Sequence, residues 1–254
     1  MLVSQMKKMV FILLLLSFSL SISIKTFSYP SNFLSTERLE NIIKDVSLLT
    51  LGSLGNLSLV VEVGRYVGAY VKNKGYTYYL IGPLDSLSED DDDYFYRVNK
   101  SPFITADIYE KLAIGISAAG VVPVFDGRGK IDTYIVSSII TRKITYPVLV
   151  DSQDKINLLR NLGYKSVFIL ESQGEYRFFD GKYTPLYWKI KIPDGESLRK
   201  DVLLNSIIYL GPGSIQVKIP FVKTGVVVFS DDTFVIEQAK KILEKKSGPG
   251  RVPW

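Results

Sequence analysis

The sequence predicts an α/β fold with its chemistry at the carboxyl ends of its strands, where (β/α) barrels build their sites. Three observations lead there. From Ser47 onward, short apolar runs alternate with stretches of helical periodicity. Glycine or Gly-Pro punctuates the junctions, at Gly75, Gly82-Pro83, Gly120 and Gly163. Cysteine is absent and 46% of the residues are hydrophobic, so stability must come from a packed core rather than from disulfides.

The elements follow in order. Ser58 to Asn73 reads as a helix, because Leu59, Val63, Val67, Ala69 and Val71 recur near the 3.6-residue spacing and Lys74-Gly75 stops it. Tyr76 to Leu80 is a strand ending at Gly82-Pro83. Thr105 to Ala119 is the next helix, with Ile108, Leu112, Ile116 and Ala119 on one face, and Val121 to Phe125 a short buried strand. Tyr134 to Ile140 fits strand or helix equally. A helix capped by Asp151 or Ser152 runs through Arg160, and Lys165 to Leu170 forms a strand. Tyr176 to Ile192 is aromatic and alternating, with a hairpin-type Asp180-Gly181 turn. Its aromatics, Tyr176, Phe178, Phe179, Tyr183, Tyr187 and Trp188, suit either a sugar-stacking platform or one buried sheet face. Val226 to Ser230 and Thr233 to Lys245 add a last strand-helix pair, and the Gly- and Pro-rich 247–254 segment is expected to be a loose tail.

Residues 1–28 stand apart. Lys7 and Lys8 precede a run from Met9 to about Ile24 of Phe, Ile, Leu and Ser, the pattern of a secretory signal ending near Ser28. The protein is therefore expected to be exported to the periplasm, cell envelope or medium, touching membrane only through this segment if it stays uncleaved. The roughly 225 residues that follow suffice for one sizeable core. They divide into a main β/α domain over 29–192, a further α/β segment over 193–246 and the tail. Losing Lys7, Lys8 and Lys25 lowers the formal charge from +5 to +2. No basic stripe with interleaved aromatics is present, which argues against a nucleic-acid partner. No cofactor motif appears. The acidic run Ser88 to Asp93 lacks the spaced carboxylates of a calcium loop and reads as a solvated turn, so no metal site is assigned.

Several fragments resemble one family. Leu51-Gly52-Ser53-Leu54 precedes Val61-Glu62-Val63-Gly64-Arg65-Tyr66-Val67-Gly68; then come Ile81-Gly82-Pro83-Leu84-Asp85, Arg97, Ser101-Pro102, Gly120-Val121-Val122 and Gly163-Tyr164-Lys165-Ser166-Val167-Phe168-Ile169. Their order and spacing over about 120 residues resemble the N-terminal domain of family 3 glycoside hydrolases. The resemblance implies a shortened or partial TIM-type (β/α) barrel, since a full one needs about 250 residues. It also implies a carbohydrate or cell-wall glycan as ligand.

What the family does with matching residues carries over only as implication. The Asp of Pro-x-Leu-Asp and the later Arg lie in its sugar-binding region, which points to Asp85 and Arg97. A carboxylate accepts two hydroxyl hydrogen bonds and a guanidinium fork donates to an acceptor-rich face, while a strand-end cap and a loop ion pair explain the same residues equally well. The family nucleophile is an Asp in a Ser/Thr-Asp pair just after a later strand; laying that strand on Leu170 puts Glu171 there. The family's Lys-His-Phe-Pro-Gly-His-Gly is replaced by Pro123-Val124-Phe125-Asp126-Gly127-Arg128-Gly129-Lys130, in a chain with no histidine. Arg128 can hold a polar or anionic ligand but cannot act as general acid, and Asp126 is the carboxyl group nearby that could; a plain turn over 126–129 is the competing account. Three functions follow: an exported relative with hydrolysis lost or nearly lost and some glycan affinity; a divergent retaining β-glycosidase using Glu171; or a cell-envelope structural or interaction protein with no sugar site.

Overall fold

The computed structural model describes residues 33–172, 175–179, 190–245 and 248–253. The signal-like segment, the Asp180-Gly181 turn and Tyr183, Tyr187 and Trp188 lie outside them. The main sheet has six strands in chain order: β1 (Leu34–Ser35), β2 (Tyr78–Pro83), β3 (Val122–Asp126), β4 (Val148–Val150), β5 (Phe168–Ser172) and β6 (Glu175–Phe179). The first five are parallel, and β6 folds back antiparallel on β5.

Sequential parallel order with right-handed crossovers places every connecting helix on one face of a sheet. Side-chain alternation shows which face. Tyr79, Ile81, Phe125, Val148, Val150 and Phe168 join the large core with helices α3 (Leu57–Asn73), α4 (Pro102–Ala118), α5 (Thr133–Thr141) and α6 (Gln153–Asn161); the short α1 (Leu39–Ile42) and α2 (Leu48–Gly52) contribute to the same core. Tyr78, Leu80, Val122, Val124, Leu149, Val167 and Ile169 form a second cluster on the opposite face, with Phe33 and Phe178.

That second cluster reveals the curvature. Phe33, just before β1, lies 4.8 Å from the Tyr176 ring and 5.8 Å from Phe178, both on β6. Five strand spacings in a flat sheet would separate those edges by about 24 Å. The sheet is therefore curled into a half-barrel whose concave side is filled by aromatic rings, and Tyr176 and Phe178 are core rather than an exposed platform.

Helices α3 and α4 meet through glycine. A Cβ at Gly64 would lie 2.3 Å from the Leu112 carbonyl oxygen, and one at Gly115 would lie 2.2 Å from that of Val61. The ambiguous Tyr134 to Ile140 stretch is helix α5, capped by Asp132, whose side chain accepts from the Tyr134 N–H. Its period was obscured because Ile135, Val136 and Ile139 point into the core while Ile140 is also partly covered.

The remaining chain forms α7 (Gly195–Asn205), the small sheet β7 (Ile208–Tyr209), β8 (Ile215–Val217) and β9 (Val226–Val228), and α8 (Thr233–Lys245), with β9 central. Their apolar residues belong to the same large core as α3 and α4. The segment expected to be a loose tail is fastened over 248–253. Arg251 N–H donates to the Ser53 carbonyl at 2.7 Å, Lys100 N–H to that of Pro253 at 2.7 Å, and Gly250 N–H to that of Ile207 at 2.9 Å. Small residues let this backbone lie against its neighbours, which a Gly/Pro composition alone does not distinguish from looseness. No helix among the described residues is long and apolar enough to cross a membrane.

Because the α3–α4 approach leaves no room for a methyl group, Gly64→Ala should destabilise the fold by about 1–3 kcal/mol. The urea unfolding midpoint should fall without loss of cooperativity.

Candidate functional site

The carboxyl edge of the half-barrel gathers all five residues singled out from sequence. Asp85 stands two residues past β2, Asp126 ends β3, Arg128 follows it, and Glu171 is on β5. Arg97 enters from the loop after a 3-10 turn at Tyr94–Tyr96. Tyr96 and Tyr109 lie in the fields of both Arg97 and Asp126, so these groups share one neighbourhood, and burial drives both phenols above their ordinary range.

Arg128 is the centre of the tightest contacts. Its Nε donates to Asp126 Oδ1 at 3.0 Å and its Nη2 to Asp126 Oδ2 at 2.9 Å. Its Nη1 donates to Glu171 Oε2 at 2.8 Å. The Arg128 backbone N–H also donates to Asp126 Oδ1, and Lys155 donates to the Arg128 carbonyl. A bidentate fork plus a second carboxylate is the strongest arrangement a guanidinium makes; hydrogen bonding to Asp126 raises its pKa still further, outweighing the opposing effect of burial. The 126–129 segment is thus a turn locked by its own charges. Glu171, expected just beyond a strand end, lies within β5 opposite Tyr176, because the antiparallel β6 prolongs pairing past Leu170.

Asp85 and Arg97 are held differently. Asp85 is buried, accepts the Ser86 N–H at 3.0 Å, and sits 3.7 Å from Arg97 Nη2 and 3.9 Å from Lys130 Nζ. Charge-assisted hydrogen bonds run nearer 2.7–2.9 Å. Arg97 Nε is buried with no hydrogen-bond partner. Burial raises the Asp85 pKa, with Arg97 and Lys130 opposing that rise. Asp85 therefore keeps acceptor capacity, and the Arg97 Nη2 group faces it beyond hydrogen-bonding distance.

The acidic run does not converge on a cation site. Asp93 takes both Arg38 Nη groups at 2.6 and 2.9 Å, Asp91 accepts the Ser88 N–H at 2.7 Å, and Asp91 faces Arg97 at 3.9 Å.

A second charged cluster escaped the sequence analysis. Asp45 accepts from Lys218 Nζ at 2.6 Å, Ser230 Oγ at 2.9 Å and Arg199 Nη2 at 3.2 Å. Arg199 also donates to Asp232 and, through Nε, to the Lys44 carbonyl at 2.9 Å. Carboxylate oxygens of Asp45, Asp231 and Asp232 approach within 4.8 Å of one another, but Lys218 and Arg199 already neutralise two of these groups. Ser230-Asp231 is itself a Ser-Asp pair one residue beyond a strand, here β9, with Ser230 buried and Asp231 exposed. A Ser-Asp pair following an apolar run is visible in the sequence and is the signal that marks this position.

No family model and no curated protein matches the chain. Among solved structures it is similar to M tuberculosis LpqI, at 21% identity and a TM-score of 0.41, over 51% of this chain and 50% of that one. It is also similar to the beta-D-glucoside glucohydrolase from Trichoderma reesei, at 13% and 0.44, over 58% and 26%. A glycosyl hydrolase GH3 family member from Mycobacterium smegmatis aligns at 13% and 0.45, over 84% and 73%. The chain spans half the length of LpqI and about a quarter of the Trichoderma enzyme.

Two predictions concern the Asp45 cluster. Arg199→Met removes the one ion-pair partner of Asp232 among the described residues and one of three donors to Asp45, and should cost about 1–3 kcal/mol in denaturant unfolding. Burial alone would raise the Asp45 pKa, yet bonds from Lys218, Ser230 and Arg199 together set it below its ordinary 3.8. As pH falls the unfolded chain takes up this proton first, so the stabilisation is complete above 3.8 and lost as pH drops through the lower folded value. Stability measured against pH should decline below about 4, and Asp45→Asn should flatten that decline.

Proposed function

We propose that this is an exported carbohydrate-binding protein built on a glycosidase-like half-barrel, with hydrolysis lost or nearly lost. The observation that carries this reading is the double pairing of Arg128 with Asp126 and Glu171. Retaining hydrolysis needs one carboxylate free to attack and a second group protonated to assist the leaving oxygen. Here one permanent cation ties both candidates by hydrogen bonds and so blocks their access to substrate. Asp85 and Arg97, with their spare hydrogen-bonding capacity, are the groups proposed to bind sugar hydroxyls, and residues 1–28 are proposed to direct export.

A second reading, a divergent active β-glycosidase, is favoured by one observation. Asp231 is exposed beside the end of β9, and none of the ion pairs among the described residues involves it. In that case Asp231, rather than Glu171, supplies the carboxylate.

Purified protein assayed on aryl β-N-acetylglucosaminides, β-glucosides and β-xylosides, beside Glu171→Gln and Asp231→Asn, separates the two. The first reading expects all three proteins to share one background rate, while wild-type binding to soluble glycans weakens at least about tenfold in Asp85→Ala. Turnover abolished by Asp231→Asn and retained in Glu171→Gln would establish the second; loss in Glu171→Gln alone would restore Glu171 as nucleophile.

A further inference from the structure

A cleft of about 290 Å³ opens beside the Asp45 cluster, between the loop after α1, the 3-10 turn and the ends of β8 and β9. It is near the lower end of the roughly 300–1,000 Å³ range of ligand sites, a size for one ring rather than a chain. Phe95 and Phe229 supply apolar lining, Phe229 with only 3% of its surface exposed. Lys44 and Lys218 line it from opposite ends of the sequence, and Glu40 and Asp45 complete its polar rim.

Two features make this more than a surface dent. Four non-glycine residues among those described have left-handed backbone, and two of them, Asp45 (φ 64°) and Lys218 (φ 54°), line this cleft and bond to each other. Such conformations persist where surrounding structure over-determines them, and they concentrate at binding sites. The charges are also unevenly satisfied. Asp45 is saturated by Lys218, Arg199 and Ser230, and Glu40 is paired with Arg38, whereas the exposed Lys44 has no ion-pair partner among the described residues. Lys218 spends one contact on Asp45 and keeps a partly exposed ammonium. Both lining acids are neutralised by cations, while Lys44 keeps its full charge, so the Lys44 end of the cleft favours an anion. Arg38 joins it to the strand-end site, pairing with Glu40 and lying 5.2 Å over the Tyr96 ring.

We propose that this cleft binds a single carboxylated sugar, its ring against Phe95 and Phe229 and its carboxylate held by Lys44 and Lys218. The inference rests on the carbohydrate-binding reading above and specifies the sugar class. Phenyl faces suit the apolar C–H surface of a pyranose, and an ammonium pair suits one carboxylate. The neutral counterpart of such a sugar leaves Lys44 without its partner and binds more weakly.

Isothermal titration of the purified chain with methyl β-D-glucuronide and methyl β-D-glucoside tests this, because the two differ only in the carboxylate. The glucuronide should bind about tenfold more tightly at low salt. Its advantage should shrink as sodium chloride is raised, disappear in Lys44→Gln and persist in Lys44→Arg. Equal affinity for the two glycosides, or an advantage surviving in Lys44→Gln, would overturn the inference and leave sugar binding standing. Acetate binding as tightly as the glucuronide would reduce the cleft to an anion site and also overturn it. Binding of neither glycoside, nor of any glycan, would remove the carbohydrate reading itself.

Discussion

The contact between Phe33 and the β6 aromatics sets the shape on which everything else depends, because it joins the two ends of a sheet that would lie far apart if flat. The curl directs the carboxyl ends of β2 to β5 toward a common region instead of along a line. β6 turns back on β5 and takes up its free edge, and the concave face is filled by side chains rather than by further strands. An unpaired parallel edge at β5 would be a template for association.

Charge at the strand ends is distributed in two regimes. Around Arg128 and around Asp45, carboxylates and cations meet at hydrogen-bonding distance and hold the backbone in place. Around Asp85 and Arg97 the same charge types stand about 1 Å farther apart, and a guanidinium nitrogen goes unused. Tight pairs fix structure and resist a ligand. Loose, partly buried pairs retain unspent capacity and are where a polar ligand gains most. A locked Arg128 thus stands in the same strand-end region as a more loosely held Arg97.

Much of this was legible along the chain. Helices α3 and α4 declared themselves by spacing and by their glycine stops, and α8 occupies Thr233–Lys245 as its periodicity indicates. Strands β2, β3 and β5 fell within a few residues of expectation, since turn-forming residues bound them. Helix α5 was ambiguous because a short apolar run fits a buried strand as well as a buried helix. The tail misled because Gly and Pro serve a docked backbone as readily as a loose one.

By itself the sequence determined the alternation of elements, the glycine-marked turns, and the placement of Asp85, Asp126 and Arg128 at strand ends, all consequences of local periodicity and backbone preference. Tertiary structure alone decided the rest. Arg128 reaches Glu171 across 43 residues, and Asp45 meets Arg199, Lys218 and Ser230 across 154 to 185. No local pattern specifies which distant charge will neutralise which. That is settled only when the sheet curls, the two ends of the core pack together, and each buried ion must find a partner from whatever the fold brings within reach.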